Sequence, residues 1–309
     1  VYRKEKTEFS VLPDNPLVSI IVPSFNQGAF IRQMIESCLE QEYRPIEIIV
    51  VDGASTDNTV EVLQSFGDIP ELKWVSEPDS GVADAVNKGC AKACGEIAAI
   101  QSSDDAYLPG ALTEAVAAFL SHPEAALIYG DCVKVDAEGR ELSRWVTAPF
   151  SVENFLSKAT VVLQPAAFFR LEAFRAVGGW SENYFIADTE CWLRMVMRYP
   201  AVKVDAFWGV RRMHGAQREH EGRTIINSYN EMIAGNSDLK KAPRNLRCAA
   251  RCGALLHAVR YGEKSEFKRQ LLRWRAVLVW PPIIREMPLD LLLGSGFSHR
   301  LRRLRNWHG

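Results

Sequence analysis

Four apolar runs in the first third of the chain end in side chains able to do chemistry. VSIIVPSF (18–25) leads into Pro23, Ser24 and Asn26, and IEIIVVD (46–52) ends on Asp52. LKWVSEPD (72–79) ends on Glu77 and Asp79, and EIAAIQSSDD (96–105) ends on Asp104 and Asp105. Two adjacent carboxylates repel each other and lose solvation beside an apolar run, so Asp104 and Asp105 need a positive partner. A divalent cation meets that need, because Mg²⁺ and Mn²⁺ favour oxygen ligands and would bridge Asp side chains to a diphosphate. No GxGxxG follows a strand and no GxxxxGK[ST] occurs, which disfavours a dinucleotide dehydrogenase and a P-loop NTPase.

The elements that must position these groups follow from periodicity. The four runs are β-branched and continuous, as strands buried on both faces are. Between the first two, apolar residues fall at Phe30/Ile31, Met34/Ile35 and Cys38/Leu39, which is helical spacing. Asp57 or Asn58 can cap a helix over 60–66, a further helix spans 83–93, and Leu112, Val116, Phe119 and Leu120 form the face of the next. Such alternation predicts an α/β fold around a mostly parallel sheet flanked by helices. Ligands of open α/β sheets sit outside the carboxyl ends of the strands, which is where all four polar endings fall. After residues 127–133 the pattern loosens. AAFFR (166–170) and VKVDAF (202–207) read as strands, separated by a helix around 191–198. Beyond Arg223 only helical patterns remain, broken by Pro281, Pro282 and Pro288. Residues 1–225 are therefore expected to form the α/β domain, which would carry the polar strand endings, and 226–309 a helical C-terminal extension.

Bulk properties agree with a globular protein: 309 residues, 47% apolar and 24% charged. The formal net charge of −1 hides an asymmetry. Residues 240–309 hold 16 Lys and Arg against 4 Asp and Glu, so the body is acidic and the tail basic. The seven cysteines lack zinc-site spacing and read as buried thiols of a reducing compartment. No run of 18 apolar residues exists, and VYRKEKTEFS has no signal-peptide core. A cytoplasmic protein is expected, and a start at Val rather than Met suits a fragment or processed chain.

Five segments occur in an order that resembles a known family: VSIIVPSFNQ, VVDGASTDNTVE, EPDSGVADAVNKG, SSDDAYLPGAL and VGGWSENYFIADTECWLRM. Together, across residues 16–215, they resemble a family 2 glycosyltransferase of the GT-A fold, of the type that builds bacterial surface glycans. The resemblance implies an inverting transfer of sugar from a nucleotide diphosphate, most often a UDP-sugar, to an acceptor hydroxyl. It places Pro23, Ser24 and Asn26 at the nucleotide and Asp52 against the base. Asp79, Ser80, Gly81 and Asp84 would approach the nucleotide and sugar, with Asn87 and Lys88 in support. Asp104 matches the position facing the ribose or donor sugar, and Asp105 the ligand of Mg²⁺ or Mn²⁺. His214 would add a metal or diphosphate contact, with a structural histidine as the alternative. Arg211 and Arg212 would meet phosphate charge.

Asp188 aligns with the catalytic base, Glu190 being the fallback, and a base must reach the hydroxyl on the face opposite the leaving diphosphate. Phe185 and Trp192 would give it apolar surroundings. Trp180 would stack on an acceptor sugar or pack in the core. Two departures stand out. Ser102 occupies a place often acidic in the family, and Gly53 follows Asp52 where a second Asp is frequent.

The tail mixes basic and apolar residues in RQLLRWRAVLVWPPIIREMPLDLLLG and FSHRLRRLRNWHG. Trp274, Trp280 and Trp307 among arginines suit an interfacial helix on an anionic bilayer, on the inner face of the membrane. A packed helical subdomain or a homo-oligomer contact are the alternatives, while nucleic-acid binding is disfavoured by the acidic body and the lack of a motif. Two other function classes stay open: a sugar nucleotidyltransferase, and a non-catalytic sugar-nucleotide-binding module.

Overall fold

The computed structural model describes residues 9–215, 221–262 and 265–286. Pro288, Trp307 and the rest of 287–309 lie outside the described residues. The described chain divides into two compact units, one containing residues up to 147 together with 162–215, the other 148–161 and the helices from 221 onward.

The first unit is built on a sheet of nine strands among the described residues: β1 (Val18–Ser24), β2 (Ile46–Asp52), β3 (Leu72–Ser76), β4 (Ile97–Ile100), β5 (Ala106–Tyr107), β6 (Leu127–Val135), β7 (Glu141–Trp145), β8 (Ala167–Arg170) and β9 (Ala201–Arg212). Their order is β3-β2-β1-β4-β8-β6-β9-β5, with β7 on β6. The half formed by β3, β2, β1 and β4 is parallel, as the continuous apolar runs predict. From β8 onward the sheet turns mixed, since β8 runs antiparallel to both β4 and β6 while β6 and β9 are parallel. The helices are α1 (Ile31–Leu39), α2 (Thr59–Gln64), α3 (Val82–Lys92), α4 (Ala111–Ser121), α6 (Leu171–Ala176) and α7 (Ala187–Arg198). Their short stretch α5 (Val152–Ser157) belongs to the second unit.

Every residue of β1 and β2 is buried, each large apolar side chain contributing about 1.5–3 kcal/mol. Helix α3 lies close on this sheet through Gly89, where a Cβ would come within 2.5 Å of Ile21 Cγ2. Five of the seven cysteines are buried and all seven are free thiols. Burial alone pushes the Cys38 thiol up to about 12, with Ser37 pulling weakly the other way.

The two-residue strand β5 was not legible as a strand, yet it organises the site. It pairs antiparallel with β9, Ala106 opposite Val210 and Tyr107 opposite Gly209. Asp104 and Asp105, immediately before β5, are thereby carried to Arg211, Arg212 and the residues that follow β9.

The second unit is helical: α5, α8 (Gly222–Gly235), α9 (Ser237–Lys241), α10 (Arg244–His257), α11 (Glu266–Val279) and α12 (Ile283–Glu286). Helix α5, although early in the chain, packs on α10 and so joins this unit. Gly253 of α10 admits Leu156 O so closely that a Cβ would stand 2.1 Å from it, and Tyr229 Oη donates to the same carbonyl at 2.6 Å. Cys252, Leu256, Ala276 and Ile283 form the core of this unit. No helix among the described residues is long and apolar enough to cross a membrane.

Candidate functional site

At the carboxyl edge of β4 the two adjacent carboxylates separate. Asp105 turns inward and is only 7% exposed, its Oδ1 accepting from Arg212 N at 2.9 Å. Burial, with the Asp104 charge beside it, pushes the Asp105 carboxyl well above the usual carboxylate range, against the pull of Arg211 and Arg212. Asp104 stays half-buried, and its Oδ2 lies 2.9 Å from His214 Nε2. The His214 ring in turn packs on Phe30, centroids 4.9 Å apart. The structure therefore brings Asp104, rather than Asp105, together with His214.

Arg212 is buried and spends its guanidinium on protein acceptors. It donates to Asp104 O at 3.0 Å, Ala137 O at 2.9 Å and Gln33 Oε1 at 2.5 Å. It is thus a strut under the Asp pair, which corrects its placement against phosphate. Arg211, also half-buried, lies over the Trp145 ring. Gln164, which the sequence left unremarked, donates from Nε2 to Ile100 O at 2.9 Å and reaches Ser102 Oγ at 3.4 Å, steadying the chain as it leaves β4. A Gln before Pro165 at the start of a strand was its only signal.

The loops after β1 and β2 lock to each other. Asn26, held at a positive φ of 54°, receives Thr56 N on Oδ1 at 2.8 Å, and its own N donates to Ser55 Oγ at 2.7 Å. Asn26 thus clamps the two loops through its Oδ1 and main chain while remaining exposed. Asp52 is fully buried, and its carboxylate receives Ser55 N at 2.9 Å, Ser55 Oγ at 2.5 Å and Ser76 Oγ at 2.7 Å. These donors reach both oxygens and tie Asp52 to the turn after β2 and to the end of β3. Asp57, rather than Asn58, supplies the expected cap, accepting Thr59 N at 2.9 Å and Gly28 N at 3.0 Å. Phe25 is 59% exposed between buried Ser24 and exposed Asn26, an aromatic face at the end of β1. Buried Pro23 precedes it.

Beyond β3, Asp79 Oδ1 accepts from Gly81 N at 2.9 Å. Asp84 is committed to the start of α3, its Oδ2 taking Ser80 N at 3.1 Å and pairing with Lys88 at 3.2 Å. Those two contacts, Ser80 first, hold its carboxyl below the usual range. Lys88 also meets Glu77. Asn87 does not reach toward the β3 loop but grips the main chain of Trp180, accepting from N at 2.9 Å and donating to O at 2.8 Å. Trp180 itself is buried, so it packs in the core rather than presenting a stacking face.

Asp188 sits half-buried in the first turn of α7. Trp192 is buried one turn on and tilts against Phe169, which places it in the core instead of around Asp188. Glu190 is committed to an ion pair: Arg194 donates to it from Nε at 2.8 Å and Nη2 at 2.6 Å, while also holding Gly179 O and Val177 O. The loop leading to Asp188 is so fixed from both sides, by Arg194 and by Asn87. Glu190→Ala is expected to destabilise the fold by about 3 kcal/mol, since it strands a mostly buried guanidinium. Urea unfolding measures this, and an unchanged midpoint with lost transfer would return Glu190 to the role of base.

The description "Glycosyl transferase family 2" belongs to the family model that matches residues 19–178. A chondroitin synthase of Escherichia coli is 26% identical over 215 residues, 69% of this chain and 31% of that protein. A hyaluronan synthase of Pasteurella multocida is 29% identical over 186 residues, 59% of this chain and 19% of that protein. The chain thus spans about a third or less of the length of those synthases. A PGL/p-HBAD biosynthesis glycosyltransferase of Mycobacterium tuberculosis is 28% identical over 246 residues, covering 76% of this chain and 88% of that protein. Among solved structures, the mannosyltransferase PcManGT from Pyrobaculum calidifontis, in complex with GDP-Man and Mn²⁺, has a TM-score of 0.61 at 22% identity, covering 98% of this chain and 86% of that one. Staphylococcus aureus TarS 1-349 in complex with UDP-GlcNAc has a TM-score of 0.56 at 16% identity, covering 92% and 91%. These likenesses establish a GT-A type fold. Since the matched region takes in β1 to β4 with their polar endings and more than half of the chain, the protein belongs to glycosyl transferase family 2.

Proposed function

We propose that the protein moves a sugar from a nucleotide diphosphate donor, a UDP-sugar in the simplest case, to a hydroxyl of a glycan or lipid-linked acceptor, with inversion and with a divalent cation. The observation that carries this is the approach of Asp104 Oδ2 to His214 Nε2 at 2.9 Å, at the carboxyl edge of the sheet. No group of three or more His, Cys, Asp or Glu suited to a metal occurs among the described residues. One carboxylate and one imidazole nonetheless fit Mg²⁺ or Mn²⁺ where a diphosphate and water complete the ligands, Mn²⁺ being the better match to the imidazole. Ser24 Oγ and both side-chain polar atoms of Gln101 are buried without partners among the described residues, at the ends of β1 and β4 where a bound donor would satisfy them.

The cation, when bound, supplies Lewis-acid stabilisation of the departing diphosphate. Asp104 and His214 would hold it, and Arg212 fixes the main chain of Asp104 and the side chain of Asp105. Ser24 and Pro23 line the nucleotide pocket, and Phe25 offers its face to the base. Asp188 takes the proton from the acceptor hydroxyl as its oxygen bonds to the anomeric carbon and the bond to diphosphate oxygen breaks. Attack from the face opposite the leaving group inverts the anomeric centre.

Incubating the protein with UDP-Glc, UDP-GlcNAc and GDP-Man, with Mn²⁺ or with chelator, tests this. Metal-dependent release of nucleoside diphosphate is expected. Release of pyrophosphate would favour nucleotidyl transfer, and binding without turnover across donors and acceptors would favour a binding module.

The helical unit gives the enzyme a docking face for an anionic bilayer. Helix α11 turns Leu271, Trp274 and Leu278 outward, Leu278 being 78% exposed, and Ile284 of α12 is exposed as well. Lys268 and Arg275 are exposed along the same stripe. Apolar side chains bordered by cations suit insertion at a charged headgroup layer. Cosedimentation with phosphatidylserine vesicles is expected, and Trp274→Glu with Leu278→Glu should weaken it by about 10-fold or more. Equal binding by this double variant would remove the face from that role.

A further inference from the structure

Strand register lays four side chains in a row that starts at the Asp pair and crosses three strands. The antiparallel pairing of β5 with β9 sets Asp105 opposite Arg211. Arg211 is the register partner of Lys134 on β6, and Lys134 in turn faces Ser143 on β7, two residues before Trp145. Lys134 Nζ stands 4.0 Å from the centre of the Trp145 ring, and Arg211 Cζ 5.7 Å from it. Lys134, Arg211 and Trp145 are all half-buried.

Like charges directly opposite each other on paired strands repel, and Arg211 and Lys134 are placed in that way. The Trp145 ring steadies both, because a cation over an indole face is attracted by the ring quadrupole. Such a contact differs from an ion pair in one respect: it orients a cation without cancelling its charge. Two cations thus converge on one ring, an ammonium as a point charge and a guanidinium as a fork of donors. That combination suits the oxygens of a carboxylate or a phosphate.

The direction of the row gives the pair a use. In the function proposed above the nucleoside lies at the end of β1, with Ser24 and Phe25, and the diphosphate at Asp104 and His214. In the order of the sheet, β6, β9 and β7 lie on the other side of β4 from β1. Lys134 is two strands and Trp145 three strands from Asp105, about 10 and 14 Å at the ordinary strand spacing. A diphosphate held at Asp104 does not extend so far, and the molecule that lies on that side of the reacting sugar is the acceptor.

We infer that Lys134, Arg211 and Trp145 form an acceptor subsite for an anionic group, a sugar carboxylate or a phosphate, set back from the reacting hydroxyl. This rests on the nucleotide-donor function proposed above and adds the class of acceptor. Lys134 and Arg211 bind the anion, and Trp145 is a positioning residue that holds the two cations together.

Titration calorimetry on the intact chain, with UDP and Mn²⁺ present, tests the subsite with matched probes. One pair is a tetrasaccharide alternating glucuronate and N-acetylglucosamine, beside its carboxyl-reduced form. The other is decyl diphosphate-linked N-acetylglucosamine, beside the neutral decyl glycoside. In one pair at least, the anionic member should bind about 10-fold or more tighter, since the neutral member forfeits the charge-assisted contacts. Whichever pair discriminates tells carboxylate from phosphate. Lys134→Gln should bring that ratio below about threefold and Lys134→Arg should keep it, with UDP binding within about threefold of wild type in both. Arg211→Gln should also lower the ratio, but Lys134 decides the matter, because Arg211 in addition attracts the buried Asp105 carboxyl. Wild-type ratios near one in both pairs, or a ratio that survives Lys134→Gln, overturn the subsite and leave the donor function standing. So does a loss of UDP binding in Lys134→Gln as large as that of the anionic probe, which would give the cations to the diphosphate. Failure of the wild type to bind UDP overturns the donor function, and the subsite with it.

Discussion

Changing Asp188 to Asn is expected to lower the turnover of sugar transfer by about 10²–10⁴-fold, the range a positioned general base contributes. Asn keeps the shape and hydrogen bonds of the side chain but cannot accept a proton from the acceptor hydroxyl. The loop before it should be undisturbed, because its anchors are elsewhere: Asn87 on the main chain of Trp180, and Arg194 on Gly179 O. Binding of nucleoside diphosphate with Mn²⁺ should accordingly stay within about threefold of wild type while turnover falls, the signature of an interaction made only in the transition state. Product analysis adds a second check, since residual transfer should retain inverted stereochemistry. Should Asp188→Asn turn over at the wild-type rate, the base lies elsewhere. Glu190 could not take the role without first breaking its two hydrogen bonds from Arg194.

The parallel half of the sheet was legible because β1, β2 and β4 are continuous β-branched or small apolar runs, a pattern that only burial on both faces explains. Strands β5 and β7 were not. The first is two residues long and the second has almost wholly exposed side chains, so neither carries a hydrophobic period. The same limit governs the site. That Asp52, Asp79, Asp104 and Asp105 gather at one edge follows from strand order. Which of them turns inward does not, because it depends on partners distant in sequence. Asp105 is drawn in by Arg212 N, 107 residues away, through the pairing of β5 with β9. Asp52 is closed off by Ser76 from the neighbouring strand. Asn26 and Asn87 are alike in sequence terms, polar residues near strand ends and helices, yet both are consumed by loop main chain. Polar type and spacing thus locate the edge, whereas tertiary hydrogen bonds decide which side chains remain available to a ligand.

The sharpest consequence of that distinction concerns the aspartate pair. Asp104→Ala and His214→Ala should each cost transfer about 100-fold or more and shift the Mn²⁺ concentration needed for half-maximal rate upward, since each removes one of the two protein ligands proposed for the cation. Calorimetry should show nucleoside diphosphate binding that no longer strengthens when Mn²⁺ is added. Asp105→Asn should behave differently. Its neutral amide oxygen can still accept from Arg212 N, and no buried charge is left unpaired, so the Mn²⁺ dependence should persist with a modest change in stability. Asp105→Ala, which deletes the acceptor, should lower stability by about 1–3 kcal/mol in urea unfolding. The opposite result, Mn²⁺ dependence lost in a folded Asp105→Asn protein and kept in Asp104→Ala, would put the cation on Asp105 and require the carboxylate to swing out of its buried position. The structure opposes that movement at three points, because Arg212 holds Asp105 through its own N–H, holds Asp104 O through Nε, and is itself fixed to Ala137 O and Gln33.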